Sequence, residues 1–312
     1  MVRRDGRDET SQHVLYTLRR TDMRKNRINS GEIVSPGTFE GMSQYRPPLC
    51  FELVGRTLEL VMDTGYDYEL TFCDRKTLRY GEKGKEASEY SYDCLKADDD
   101  TYFVNFEVTG ANPRAGLSFV LDMEQSLVTA NYCTVGQNPR WPRMCKPYLT
   151  FGAIRREDGT LNELRHGYTD EMVGKAIHWQ YGNLEVVHVY ASERYYRLTQ
   201  TREGMEKLKT EKPDVYERLS KRNVETIYEE PCHMIKIKDG IYVFEANEEM
   251  ANRERGSGND LFFLMNLNRM HDVGRSFGYN AEGLPENYTY GAFGEYYDAS
   301  ELLARESTEF IR

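Results

Sequence analysis

The sequence predicts an all-β protein of two related domains, each an antiparallel barrel or sandwich, and three observations lead there. The first is an internal duplication. In the first half, Gly55-Arg56-Thr57 is followed by Tyr68-Glu69-Leu70-Thr71-Phe72, Tyr92 to Asp98, Thr101 to Phe106 and Leu117 to Leu121. The second half keeps the order, with Gly174-Lys175-Ala176, Leu184 to Tyr190, Arg194 to Leu198, Cys232 to Asp239, Ile241 to Glu245 and Asp260 to Leu264. Overlaying Tyr102 on Tyr242 sets Cys94 on Met234, Ala97 on Ile237 and Asn105 on Glu245 without a gap. One copy per half means two domains, whereas a solenoid repeats in shorter and more numerous units. The second observation is texture: from Leu53 onward, short apolar runs alternate with Gly, Asp and Asn clusters, the spacing of strands and turns. The third is 23 Tyr and 13 Phe, residues suited to half-buried sheet positions.

Taken in order, residues 1–48 form a charged lead-in, with a helix expected from Ser11 to Arg24, where Val14, Leu15 and Leu18 share a face. The first domain is expected over 49–138. Residues 139–170 read as a linker, because Pro139, Pro142 and Pro147 argue against a central strand or a helix interior. The second domain is expected over 171–298, followed by a tail over 299–312. It carries an insertion at 203–222 of helical composition interrupted by Pro213, read either as a lid over a barrel mouth or as a helix on the wall.

Composition excludes some functions. The chain has 41 basic and 51 acidic side chains, a net charge of −10 that would repel a phosphate backbone, so nucleic acid is not an expected partner. No apolar run approaches the roughly 18 residues of a membrane span, and the start does not resemble a signal peptide; a cytoplasmic, membrane-free protein is expected. The six cysteines are widely spaced and read as reduced thiols. His166, His178 and His271 show no ligand spacing, so no metal site is expected.

The strand pattern through Gly55-Arg56-Thr57, Tyr68 to Phe72, Tyr102 to Phe106 and Ser118 to Asp122 resembles the N-terminal domain of the molybdenum cofactor biosynthesis protein F (MoaF) family. Tyr190 to Tyr196, Ile241 to Glu245 and Gly278-Tyr279-Asn280 look like that family's C-terminal domain. The resemblance implies two tandem calycin-like (lipocalin-like) barrels, related in architecture to lipocalins and to cofactor-free enzymes such as phenolic acid decarboxylases and allene oxide cyclases. A barrel of about eight strands has room for one small ligand. The family name implies a link to molybdopterin synthesis but no chemical step.

Candidate residues come from positions that break the apolar pattern. Glu245 shares a strand face with Ile241 and Val243, and His233 lies about as far from the Asp239-Gly240 turn as Glu245 does, so the two should meet across the ladder. Such a couple reads as acid/base machinery or as a structural pair. The first copy has Asp93 and Asn105 there, which favours the second domain for chemistry. Tyr195 and Arg197 share a face and join the catalytic set, with surface snorkelling as the alternative. His188, Tyr190, Tyr242, Phe262 and Tyr290 form the expected ligand-binding set.

Three readings remain open at this level. One is a cofactor-independent lyase, decarboxylase or isomerase acting on a small aromatic or conjugated molecule. Another is a non-catalytic protein binding such a molecule or a pterin intermediate. In the third, the duplicate barrels form a subunit interface and neither binds a ligand. No cofactor is implied, and homo-oligomerisation is left open.

Overall fold

The computed structural model describes residues 42–182, 184–200, 202–211, 213, 216–217, 228–248, 258–279 and 284–304. The helix expected at Ser11 to Arg24 and most of the tail lie outside them. A 3-10 turn at Met42–Tyr45 leads into β1 (Thr57–Met62), β2 (Asp67–Phe72), β3 (Thr77–Glu82), β4 (Ser88–Lys96), β5 (Thr101–Val108), β6 (Arg114–Asp122), β7 (Leu127–Val135) and β8 (Cys145–Ile154). These pair in sequence order, and β8 returns to β1 to close an antiparallel barrel. After the short β9 (Gly167–Tyr168) come β10 (Ala176–Tyr181), β11 (Leu184–Tyr190), β12 (Tyr195–Gln200), helix α1 (Arg202–Glu211), β13 (Tyr228–Lys238), β14 (Ile241–Asn247), β15 (Asp260–Asn266), β16 (His271–Tyr279), β17 (Pro285–Tyr296) and helix α2 (Ser300–Ala304). Pairing of β10 with β17 and of β12 with β13 closes a second eight-stranded antiparallel ring, to which β9 adds along β13.

The duplication is visible in the registers. Lys96 faces Tyr102 and Asp93 faces Asn105 in the first barrel; Lys236 faces Tyr242 and His233 faces Glu245 in the second. Both barrels also open on the same turn. Gly55 and Gly174 adopt φ of 85° and 82°, where a side chain would be strained, and each donates its N–H across 2.8 Å, to Phe72 O and Tyr190 O.

One boundary differs from expectation. β8 lies within the stretch read as linker and supplies the strand that closes the first barrel. Pro147 sits in it, paired with Cys133. It is tolerated because β1 meets β8 only at Gly152–Ile154, leaving the outer edge at Pro147 free of a ladder bond that needs an N–H.

Each barrel has its own apolar interior, and a further apolar layer lies between them, where Leu95, Phe103 and Val120 meet Ile235, Val243, Phe262 and Val273. The contacts repeat in both directions. Asn266 Nδ2 donates to Ala97 O at 3.0 Å, while Gln125, bonded to Asp122, donates to Ile237 O at 3.0 Å. Asn266 and Asp122 occupy equivalent positions in their barrels, as do Ala97 and Ile237. Likewise Asn247 Nδ2 reaches Cys145 O, and Arg114, held by Glu107, reaches Glu286 O. The barrels are thus related by an approximate two-fold axis through this layer. At its polar end Asp260 accepts from Asn131 Nδ2 at 3.0 Å and pairs with the fully buried Arg275.

Candidate functional site

Register decides which side chains enter the second barrel, since residues paired across strands share a face and successive residues along a strand point to opposite faces. Tyr242, Phe244 and Ala246 of β14 belong to the interior; Ile241 and Val243 belong to the inter-barrel layer. Glu245 has their parity and lies across from Phe262, whose ring meets Phe103 of the first barrel at 5.9 Å. His233 and Glu245 do pair, Nδ1 to Oε2 at 2.7 Å, but on the outer wall. The Glu245 side chain is 3% exposed and that of His233 is 50%. Burial pushes the Glu245 carboxyl up, and the carboxylate pushes the His233 imidazole up. Tyr168 of β9 lies beside His233, ring centroids 5.7 Å apart.

The other expected residues divide in the same way. His188, Tyr190, Tyr242 and Tyr290 enter the second barrel, whereas Phe262 faces the first barrel. Tyr195 and Arg197 point outward together, with Tyr196 inward. Tyr195 lines a surface depression of about 440 Å³ with Asp170 and Arg194, and Arg197 bonds Glu229 at 3.0 Å and Leu302 O of α2 at 2.9 Å.

The interior is an aromatic stack. Phe244 meets Tyr196 edge-on at 4.8 Å and Phe263 at 5.6 Å; Phe263 meets Tyr290 at 5.1 Å, and Tyr290 meets Tyr181 at 5.6 Å. His188 sits against Tyr196 and Phe244, and burial pushes its imidazole down to about 3, so it is neutral at physiological pH. Met205 of α1 joins this cluster, and Lys207 ties the helix to Glu185 at 3.0 Å.

Within the stack is a carboxyl that sequence reasoning missed. Asp272 of β16 is fully buried, accepts the Tyr181 hydroxyl at 2.7 Å and accepts the Ala292 N–H at 2.6 Å. Burial pushes it up to about 7 against the smaller opposing effect of those two donors. Two donors nearby are weakly satisfied: Tyr190 points its hydroxyl at the Met265 sulfur at 3.3 Å, and the Trp179 indole N–H has the Tyr190 hydroxyl oxygen near it without good hydrogen-bond geometry. A buried acid poised near neutrality beside a tyrosine can give or take a proton, and spare donors can hold an acceptor atom.

A closed barrel with an aromatic interior, doubled in one chain, defines a tandem antiparallel barrel protein of the calycin type. The first barrel has a counterpart among known domains: residues 38–137 match the family model of the MoaF N-terminal domain, so that part of the chain is similar to it. No curated protein matches the chain.

Proposed function

We propose that the second barrel binds a small aromatic or conjugated molecule among its interior rings, and that Asp272 with Tyr181 exchanges a proton with it. The reaction class is that of a lyase or isomerase, in which side chains alone supply acid/base chemistry. One observation carries this reading: Asp272 is fully buried, bonded to a tyrosine hydroxyl, and held near half-protonation at neutral pH. The aromatic walls favour a planar ligand. The donors of Tyr190 and Trp179 favour one with a carbonyl-type acceptor. They also support a second reading, a carrier of a neutral nitrogen heterocycle such as a pterin intermediate, which needs the same donors and no turnover. The outer His233–Glu245 couple, with Tyr195 and Arg197 on the same wall, stays a separate candidate for proton chemistry on a surface-bound substrate.

Trp179 provides the test. In a Trp141→Phe background it is the sole indole, so its emission reports the barrel interior. Titration with neutral planar heteroaromatics and phenols should give a saturable change, weakened about 10-fold to 100-fold by Asp272→Asn through loss of a charge-assisted bond. Absence of any saturable change across both classes, in a folded protein, would overturn the binding claim. Where a bound compound is also converted, Asp272→Asn should slow conversion by about a hundredfold or more. A carrier would show the affinity change alone.

A further inference from the structure

A second reactive position lies in the first barrel, independent of the ligand reading. Cys50 stands in the segment that crosses the first barrel before β1, and its N–H donates to Cys94 O at 2.7 Å, so the two residues run side by side. Cys94 belongs to the interior cluster of that barrel, and Cys50 packs against it while still partly exposed. The Cys94 thiol donates to the Cys50 sulfur, the Glu52 N–H donates to it as well, and the Lys96 ammonium is close by. These contacts push the Cys50 thiol down to about 7, against desolvation and the Glu52 carboxylate, while Cys94 is pushed up. One sulfur, in a partly exposed residue, is therefore eased toward its thiolate, and its neighbour keeps its proton.

The remaining cysteines lack this combination. Cys133 and Cys145 also adjoin, on β7 and β8, but both are buried, and burial pushes Cys133 up. Burial pushes Cys232 up to about 12. Cys73 is exposed, with its thiol turned to Thr71 O at 3.7 Å.

We infer that Cys50 and Cys94 form an oxidation site for hydroperoxides, with Cys50 as the attacking sulfur and Cys94 as the resolving one. The Cys50 thiolate attacks one peroxide oxygen, the O–O bond breaks, and the other oxygen leaves with a proton as water or alcohol, giving Cys50 sulfenic acid. The Cys94 sulfur then attacks the Cys50 sulfur, and the sulfenic hydroxyl leaves as water with the Cys94 proton. Two thiols and one peroxide become one disulfide and two hydroxylic products, a two-electron oxidation of the pair. Backbone neighbours of this kind fall within reach of an ordinary disulfide. The bond would fix the segment that carries Tyr45 and Arg46 onto the second barrel, where His271 holds Tyr45 O at 3.0 Å and Arg46 holds Thr289 at 2.5 Å.

The test is hydrogen peroxide treatment of the full chain at pH 7.5, followed by alkylation and peptide mapping. The expected product is one Cys50–Cys94 link, reversed by dithiothreitol. Cys94→Ser should leave Cys50 trapped by dimedone, and Cys73→Ser should change nothing. A Cys133–Cys145 or Cys50–Cys73 link in its place would overturn the assignment, as would a native protein that keeps all six thiols. If Cys94→Ser fails to fold, the pH dependence of Cys50 alkylation in the unaltered protein decides. A midpoint near 7 supports the site, and one above 8.5 sinks it.

Discussion

Asp272 and Glu245 illustrate how much one side chain's direction decides. Both are buried carboxyls in the second barrel, but Asp272 looks inward at Tyr181 and Glu245 outward at His233. For Asp272 the folded carboxyl titrates near 7 against 3.8 for the free side chain, so between those pH values the folded chain holds a proton that the unfolded chain has released. Stability should therefore fall as pH rises from about 4 to 7 and level off above, by as much as about 4 kcal/mol at 1.36 kcal/mol per unit. Asp272→Asn should remove that component, giving a Tm at pH 8 at least equal to the parent's. The raised imidazoles of His178 and His233 also contribute stability that is lost as pH rises through their folded pKa, and the variant keeps them, so the difference between the two melting curves isolates Asp272. Glu245→Gln should act otherwise. It loses the charge-assisted bond to His233, lowering stability by about 1–3 kcal/mol, and leaves Trp179-reported binding unchanged because Glu245 faces the first barrel.

At the scale of the element, the strands were legible and their facing was not. Gly55, Tyr102 and Asp239-Gly240 marked turns and registers correctly, and the His233–Glu245 pairing followed from counting back along a hairpin. Alternation then failed as a guide to inside and outside because β14, β15 and β16 are buried on both faces. In β16 the apolar Val273 and Phe277 face outward while Asp272 faces the barrel, the reverse of a half-solvated strand. Nothing in His271-Asp272-Val273 alone reveals this; the pairing of Gly274 with Tyr290 does. The proline argument erred at β8 for a related reason, since a single free edge was enough to admit Pro147. Helix α1 takes up the first half of the 203–222 insertion, while residues 212, 214–215 and 218–222 lie outside the described residues; Met205 within the aromatic cluster suits a lid. Met205→Ala should then raise acrylamide quenching of Trp179 in the Trp141→Phe background while circular dichroism stays unchanged.

For the whole molecule, the layer between the barrels should make unfolding a single event. Phe103, Val243 and Phe262 are buried only while both barrels are folded, so losing either one exposes the apolar face of the other. Calorimetry should show one transition, and Val243→Asp should split it in two or lower it sharply, since the new carboxylate would be buried between Ile235 and Leu264 without a partner.

The approximate two-fold between the barrels gives the chain the design of a dimer whose subunits happen to be covalently joined. In a true two-fold dimer each contact is made twice, and Asn266 with Ala97 and Gln125 with Ile237 still show that bookkeeping after the two copies diverged. The peptide between the halves is then a tether, because the mutual fit of the two faces holds them together. A protease site placed in the exposed turn at Glu157-Asp158-Gly159 should, once cut, yield two fragments that still elute as one particle and come apart only in denaturant.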